Sequence, residues 1–220
     1  MGGSLNWLQK QVEYYRRRAP EYDATMRPAV DSLKEQEAVL LAALREFEPK
    51  GRVLEIACGT GFYTMELVPF ADAITAVDAS PEMLAIARSR VDSERVQFVE
   101  ADVFTWEPDG QYDVVFFSFW LSHVPPSHFE RFWGRMATFL RPGGRVFFMD
   151  EGRHTPWLDE YVDEAAGVVR RELQDGTEHF AIKVLWDAAE LEERLRSMGW
   201  NIVVNGAGAL YWGHGGRSSA

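Results

Sequence analysis

The stretch EIACGTGFYT, Glu55 to Thr64, sets an acid and two glycines within ten positions. Gly59 and Gly61 let the chain turn sharply and approach a ligand with no Cβ in the way. Asp78, in VDAS, follows Gly61 by 17 residues, near the distance at which a ribose-binding acid is expected. A carboxylate there accepts hydrogen bonds from both ribose hydroxyls. Asp102, in EADVF, is a third acid, and a carboxylate at that place accepts from an adenine amino group.

A glycine-rich turn by itself suits NAD equally well. Three features separate the readings. The third glycine of a dinucleotide fingerprint falls at position 64, which is Thr64. That glycine serves close packing around a pyrophosphate. An acid, Glu55, precedes the glycines within the strand, and Asp102 follows the third strand. Glu55 offers an anion to an ammonium, directly or through water. A ligand with an ammonium and no phosphate is adenosylmethionine, which the pattern favours over NAD.

The elements that must carry these residues read as alternating strands and helices. Strands are expected at Arg52–Ala57, Ala73–Asp78, Val96–Ala101, Tyr112–Phe119 and Arg145–Asp150. Helices are expected at Phe62–Phe70, Pro81–Val91 and Ser127–Leu140, with Ser80 capping the second and Pro142-Gly143-Gly144 stopping the third. Two helices, Leu5–Arg18 and about Pro28–Glu48, precede them. A hairpin turning at Gln174-Asp175-Gly176-Thr177, a strand at His179–Trp186, a helix at Ala188–Met198 and a last strand from Trp200 follow. The glycine-rich ends, Gly2 to Ser4 and Gly215 to Ala220, carry no fold signal. This alternation argues a parallel sheet covered on both faces, with its ligand outside the carboxyl ends of the strands.

Composition bounds the partners. The chain has 220 residues, long enough for one sizeable α/β core and short for two domains. It carries 23 Lys and Arg against 34 Asp and Glu, a formal charge of −11. That balance disfavours nucleic acid, which needs surplus cations. The longest apolar run, Val114 to Leu121, is too short to span a bilayer. One cysteine, Cys58, forms no internal disulfide and fits a reducing cytoplasm; it reads as a small buried residue. No metal site is expected. The sequence leaves homodimerisation open.

The series VLEIACGTG, ITAVDASPEML, VQFVEADVF, YDVVFFSFWLSHV and LRPGGRVFF resembles the class I S-adenosylmethionine-dependent methyltransferases, over about Arg52 to Asp150. The resemblance implies an α/β, Rossmann-like, doubly wound fold. Its seven strands would run in the order 3-2-1-4-5-7-6, the last antiparallel, under an N-terminal helical lid. It implies one domain over 1–220, with lid helices at 5–48, a cofactor core at 52–150 and substrate-side strands at 151–212. By position Ala57, Gly59, Thr60 and Gly61 would line the methionine and ribose, and Asp78 and Ala79 the ribose. Asp102, Val103 and Met83 would meet the adenine, with Phe119 nearby.

Three further groups of residues concern the acceptor side. YYRRRAPEYD, Tyr14 to Asp23, is either a solvated basic helix end or a lid, with Tyr14, Arg18 and Tyr22 as candidates to hold the cofactor. In SFWLSHVPP, Trp120 suits the sulfonium or the substrate. His123 is a satisfied loop residue, a general base or a hydrogen-bond donor to substrate. Arg170, Arg171 and Lys183 flank the hairpin and either form a solvated strand face or an anion pocket. Together these segments resemble the subgroup that includes the phosphonate O-methyltransferase of dehydrophos biosynthesis, which implies that Arg171 and Lys183 hold phosphonate oxygens. The likeness weakens at Arg27-Pro28-Ala29 and over Arg153–Asp163. The reading is methyl transfer to oxygen of a small phosphonate-like or carboxylate acceptor. The rivals are a neutral hydroxyl or amine acceptor with His123 as base, a catalytically silent adenosylmethionine-binding module, and an NAD oxidoreductase.

Overall fold

In the computed structural model, which describes residues 3–26, 33–156 and 159–218, two deeply buried strands lie side by side at the centre of the large sheet. They are β1 (Arg52–Ile56) and β4 (Tyr112–Ser118). Both faces of each are buried, which is why they read as continuous apolar runs rather than alternating ones. On one side β1 pairs in parallel with β2 (Ala73–Asp78), and β2 with β3 (Val96–Glu100). On the other side β4 pairs in parallel with β5 (Leu140–Glu151). Connections therefore diverge between β1 and β4, and a crevice opens at their carboxyl ends.

Two sequence-expected details change beyond β5. The final strand is a hairpin, β9 (Trp200–Ala207) and β10 (Leu210–Arg217), joined by the two-residue turn at Gly208 and Ala209. Gly208 takes φ +68, a conformation glycine adopts freely. β10 inserts antiparallel between β5 and β9, giving the order β3-β2-β1-β4-β5-β10-β9. This matches the expected 3-2-1-4-5-7-6 when the hairpin supplies the last two strands. The chain from Gly215 to Arg217, discounted in the sequence reading, is the end of β10, and Gly3 and Ser4 lie within α1 (Gly3–Arg18).

A second, three-stranded antiparallel sheet stands over the carboxyl edge: β6 (Tyr161–Asp163), β7 (Val168–Glu172) and β8 (Glu178–Ile182). Its β7–β8 turn falls at the expected hairpin. β8 stops short of the expected Trp186. The Lys183 and Val184 N–H groups leave the ladder for the carbonyls of Gly167 and Ser122.

Helices cover both faces of the large sheet. α2 (Lys34–Phe47) packs Leu40, Leu44 and Phe47 against the face that carries Val114, Phe116 and Phe147. α5 (Phe129–Phe139) and α6 (Ala188–Ser197) cover the opposite face, with Val115, Phe117 and Phe148. The alternation along β4 assigns its side chains to the two layers. The expected helix at Phe62–Phe70 shrinks to α3 (Thr64–Leu67), because Pro69 has no N–H to continue it. α4 (Pro81–Arg90) starts as expected, with the Met83 N–H donating to Ser80 Oγ at 3.1 Å. Arg27-Pro28-Ala29 and the first residues of the second expected helix lie outside the described residues. Among the described residues no helix is long and apolar enough to cross a membrane.

The hairpin has a checkable consequence at Gly215. A Cβ there would sit 2.0 Å from the Asn201 carbonyl oxygen and 2.7 Å from Ile202 Cα, both backbone atoms. Gly215→Ala should therefore cost on the order of 1–3 kcal/mol, read as a lowered melting temperature. An unchanged melting temperature would put this segment outside the sheet.

Candidate active site

A cavity of about 520 Å³ lies at the carboxyl ends of β1, β2 and β4. Its floor is the turn after β1, where Ala57, Gly59 and Gly61 take φ of 54, 55 and 77. Gly59 lines the cavity and a Cβ there would meet nothing. Gly61 serves another purpose: a Cβ there would press on Ala87 of α4 at 3.1 Å, so this glycine lets the turn pack on the helix. Thr60 faces away too. Its hydroxyl donates to Asp23 Oδ1 at 2.8 Å, and its carbonyl accepts from Arg90 at 2.8 Å.

Asp78, at the end of β2, accepts from the Gly59 N–H at 2.9 Å and the Ser80 N–H at 2.8 Å, one bond to each oxygen. One carboxylate thus ties the turn after β1 to the head of α4 and still faces the cavity with Ala79 and Met83. Burial raises its pKa, and the backbone N–H groups facing it, that of Ser80 foremost, oppose that rise. Asp102 and Val103 line the far end; Asp102 Oδ1 accepts from the Phe104 N–H at 2.8 Å. Glu55 lies under the turn, 1% exposed. Its Oε2 accepts from the Thr64 hydroxyl at 2.6 Å, while its Oε1 has no partner among the described residues. Burial pushes its pKa up to about 8, against the pull of the Thr64 bond.

α1 roofs this cavity with Leu8, Gln11, Val12 and Tyr15. Arg16 on α1 pairs with Glu82 on α4, and Asp23 pairs with Arg90, so the N-terminal segment is fastened across the mouth. Tyr14 and Arg18, expected at the cofactor, do not line this first cavity. Tyr14 packs on Val169, Leu173 and Ala181 of the small sheet, and Arg18 sits over the Tyr22 ring at 4.8 Å and donates to Thr25 Oγ1. Both line a second cavity, of about 390 Å³. Tyr22 lines both cavities, as do Tyr15, Phe119 and His123. Trp120, expected at sulfonium or substrate, lines the first cavity.

The second cavity collects Arg18, Arg171 and Lys183. Lys183 is 4% exposed. It pairs with Glu151 and donates to Ser122 Oγ at 3.4 Å. Arg171 pairs with Asp159. Asp150 organises this wall from below, accepting from the N–H groups of Ser122 and Glu151, both at 2.8 Å. Burial raises its pKa to about 6. Arg170 does not join the cavity: it is exposed and pairs with Glu160 and Glu178.

His123 ends the 3₁₀ turn Leu121–His123 that leaves β4. Its Nδ1 lies 2.6 Å from the Ile182 carbonyl oxygen and its Nε2 lies 2.9 Å from the Tyr15 hydroxyl. Burial, with the Lys183 charge next in importance, holds its pKa well below the usual histidine value. Tyr15 and Gln11 escaped the sequence reading. Their only signal there is the i, i+4 spacing that sets them on one face of α1.

Comparison with known proteins gives this geometry a family. A model described as a methyltransferase domain matches residues 53–144. The ubiquinone biosynthesis O-methyltransferase of Xanthomonas axonopodis pv. citri (strain 306) is 34% identical over 172 residues, 74% of this chain and 68% of that protein. Its counterpart from Xanthomonas campestris pv. campestris (strain B100) is 34% identical over 145 residues, 63% of this chain and 58% of that protein. The chain thus spans 58–68% of the length of these two relatives. Among solved structures, a DhpI–SAH complex superposes with TM-score 0.84 at 39% identity, covering 97% of this chain and 98% of that one. A DhpI–SAM–HEP complex gives TM-score 0.83 at 40% identity, covering 94% and 96%. Sheet order, an acid-lined pocket and identity along nearly the whole of a solved relative agree, and the chain belongs to the class I S-adenosylmethionine-dependent methyltransferases.

Proposed function

We propose that the chain methylates an oxygen of a small anionic acceptor, a phosphonate or a carboxylate, using adenosylmethionine held in the first cavity. The observation that carries this reading is the convergence of Arg18, Arg171 and Lys183 on a second cavity that shares four lining residues with the first. The DhpI complex that holds both SAM and HEP supports a two-ligand arrangement in this fold. The same reading takes 1–220 as one domain, working in a reducing cytoplasm.

The residues of the first cavity fit the cofactor. Each Asp78 oxygen spends one lone pair on a backbone N–H and keeps another for a ribose hydroxyl. Asp102 keeps Oδ2 for an adenine amino group. Glu55 does not line the cavity but lies behind it, under the turn after β1, and its Oε1, unpartnered among the described residues, is an atom that an ammonium would satisfy, directly or through water. When bound, adenosylmethionine supplies an electrophilic methyl group on a sulfonium.

The chain's own task is then alignment and the exclusion of water. An ionised acceptor brings its own nucleophilic oxygen and needs no base. Lys183 and Arg171 keep N–H groups beyond those spent on Glu151, Ser122 and Asp159. Their carboxylate partners keep buried cations charged without an acceptor, and they weaken the clamp enough to leave the acceptor oxygen reactive. His123 has little to offer as a base, since its Nε2 already meets the Tyr15 hydroxyl and burial, with nearby cations, depresses its pKa.

Two outcomes check the reading. With a phosphonate and carboxylate acceptor panel, Arg171→Ala and Lys183→Ala should each lower kcat/KM on the order of tenfold to a hundredfold, with adenosylmethionine affinity nearly unchanged. Silent basic variants beside a severe His123→Gln defect would overturn the anionic acceptor. The second outcome concerns Glu55. With its pKa at about 8, it is mostly protonated at pH 7. An ammonium nearby stabilises the carboxylate, so binding should release about one proton near pH 7 and fewer above pH 9. Calorimetry of adenosylmethionine binding in two buffers of different ionisation enthalpy reads this release. Glu55→Gln should abolish it; a buffer-independent enthalpy in the unaltered chain would remove Glu55 from the ammonium site.

A further inference from the structure

We propose that Tyr15 presents its phenolic oxygen to the transferring methyl group, and that His123 serves to position Tyr15. The proposal rests on the cofactor placement given above. It starts from the phase of α1. Tyr14 is buried in the small-sheet cluster, and Tyr15, one residue on, packs on the edge of that cluster while lining both cavities, on the face it shares with Gln11. Gln11 Nε2 donates to the His123 carbonyl at 3.1 Å and its Oε1 accepts from the Ile182 N–H at 2.8 Å. The phenol therefore cannot slide along the edge without breaking two buried hydrogen bonds.

The direction of the Tyr15 hydroxyl follows by elimination. The Ile182 carbonyl only accepts, so at 2.6 Å the facing Nδ1 of His123 carries the proton. The ring is neutral, because burial and the charges of Lys183, Arg171 and Arg18 disfavour a second proton. Nε2 is therefore a bare lone pair, and the Tyr15 hydroxyl donates to it at 2.9 Å. The phenol has spent its one proton and turns only lone pairs to its remaining surroundings. Burial, with Tyr14 and Tyr22 beside it, raises the Tyr15 pKa well above the ordinary value, so it stays a neutral phenol.

Those lone pairs lie at the junction, because Tyr15 is one of the four residues that line both cavities. Phe119, another of the four, offers an apolar ring. A methyl on a sulfonium has positively polarised hydrogens, and a fixed oxygen lone pair orients it by C–H···O contact. A fixed dipole also costs no reorganisation as the group moves. His123 makes the lone pair available by absorbing the hydroxyl proton, which explains a buried neutral imidazole wedged between α1 and β8.

The test compares adenosylmethionine with adenosylhomocysteine, which lacks the methyl and the charge. Tyr15→Phe keeps the ring and its packing. By calorimetry it should weaken adenosylmethionine about twofold to fivefold and leave adenosylhomocysteine affinity unchanged. kcat should fall while acceptor KM holds, and adding His123→Gln to Tyr15→Phe should cost nothing more. In the unaltered chain, ¹⁵N shifts of His123 should report a neutral ring with a protonated Nδ1 from pH 6 to 8. Equal loss of both ligands in Tyr15→Phe would reduce Tyr15 to a helix-docking contact and overturn the proposal. So would an acidic limb in kcat that disappears in His123→Gln, the mark of a base. If the unaltered chain binds neither ligand, the cofactor placement itself fails, and the proposal with it.

Discussion

Gln11 is 2% exposed and divides its amide between backbone groups from distant parts of the chain, the carbonyl of His123 and the N–H of Ile182. The first belongs to the turn leaving β4 and the second ends β8. Breaking this bridge would strand buried backbone groups, each at a cost of about 1–3 kcal/mol. The arrangement of the site depends on it. With α1 docked there, Leu8, Val12 and Tyr15 roof the first cavity, Tyr14 closes on the small sheet, and Arg18 reaches the second cavity. The two cavities exist as neighbours because one helix supplies walls to both.

The chemistry of the two sides differs in a way that the charges explain. Around the first cavity the acids Glu55, Asp78 and Asp102 are held by hydroxyl and backbone N–H donors rather than by cations. Among the described residues no cation neutralises Asp78 or Asp102, and Glu55 is held largely protonated by its burial. Around the second cavity the buried cation Lys183 and the half-buried Arg171 are each met by a carboxylate. Isolated buried charges would be costly, and each pair offsets that cost for its cation. Arg18 is held instead by the Tyr22 ring and the Thr25 hydroxyl.

What could be read from the sequence was mostly local. Ser80 as a cap and the turn at Gln174 to Thr177 depend on spacings within one helix start and one hairpin, and the structure places both as expected; Asp78 ends β2, the strand that the sequence reading gave it. The strand order came through the family resemblance. What escaped depends on tertiary phase. In the pair Tyr14 and Tyr15, only the rotation of α1 against the small sheet decides which ring meets the junction. Gln11 looks like an ordinary polar residue on an amphipathic helix. Glu151 lies 32 residues from Lys183, too far for any local pattern to pair them. Gly61 was read as a ligand contact because a glycine needed for helix packing and one needed for ligand approach look alike in sequence.

The central claim is that one ligand occupies each cavity and that they meet at Tyr15, Tyr22, Phe119 and His123. A crystal structure with adenosylhomocysteine and methylphosphonate bound together tests this most directly. The account predicts the ribose on Asp78, the adenine beside Asp102, the sulfur at the shared wall, and the phosphonate oxygens among Arg18, Arg171 and Lys183. A phosphonate seated away from those three cations, or an adenosine in the second cavity, would contradict it.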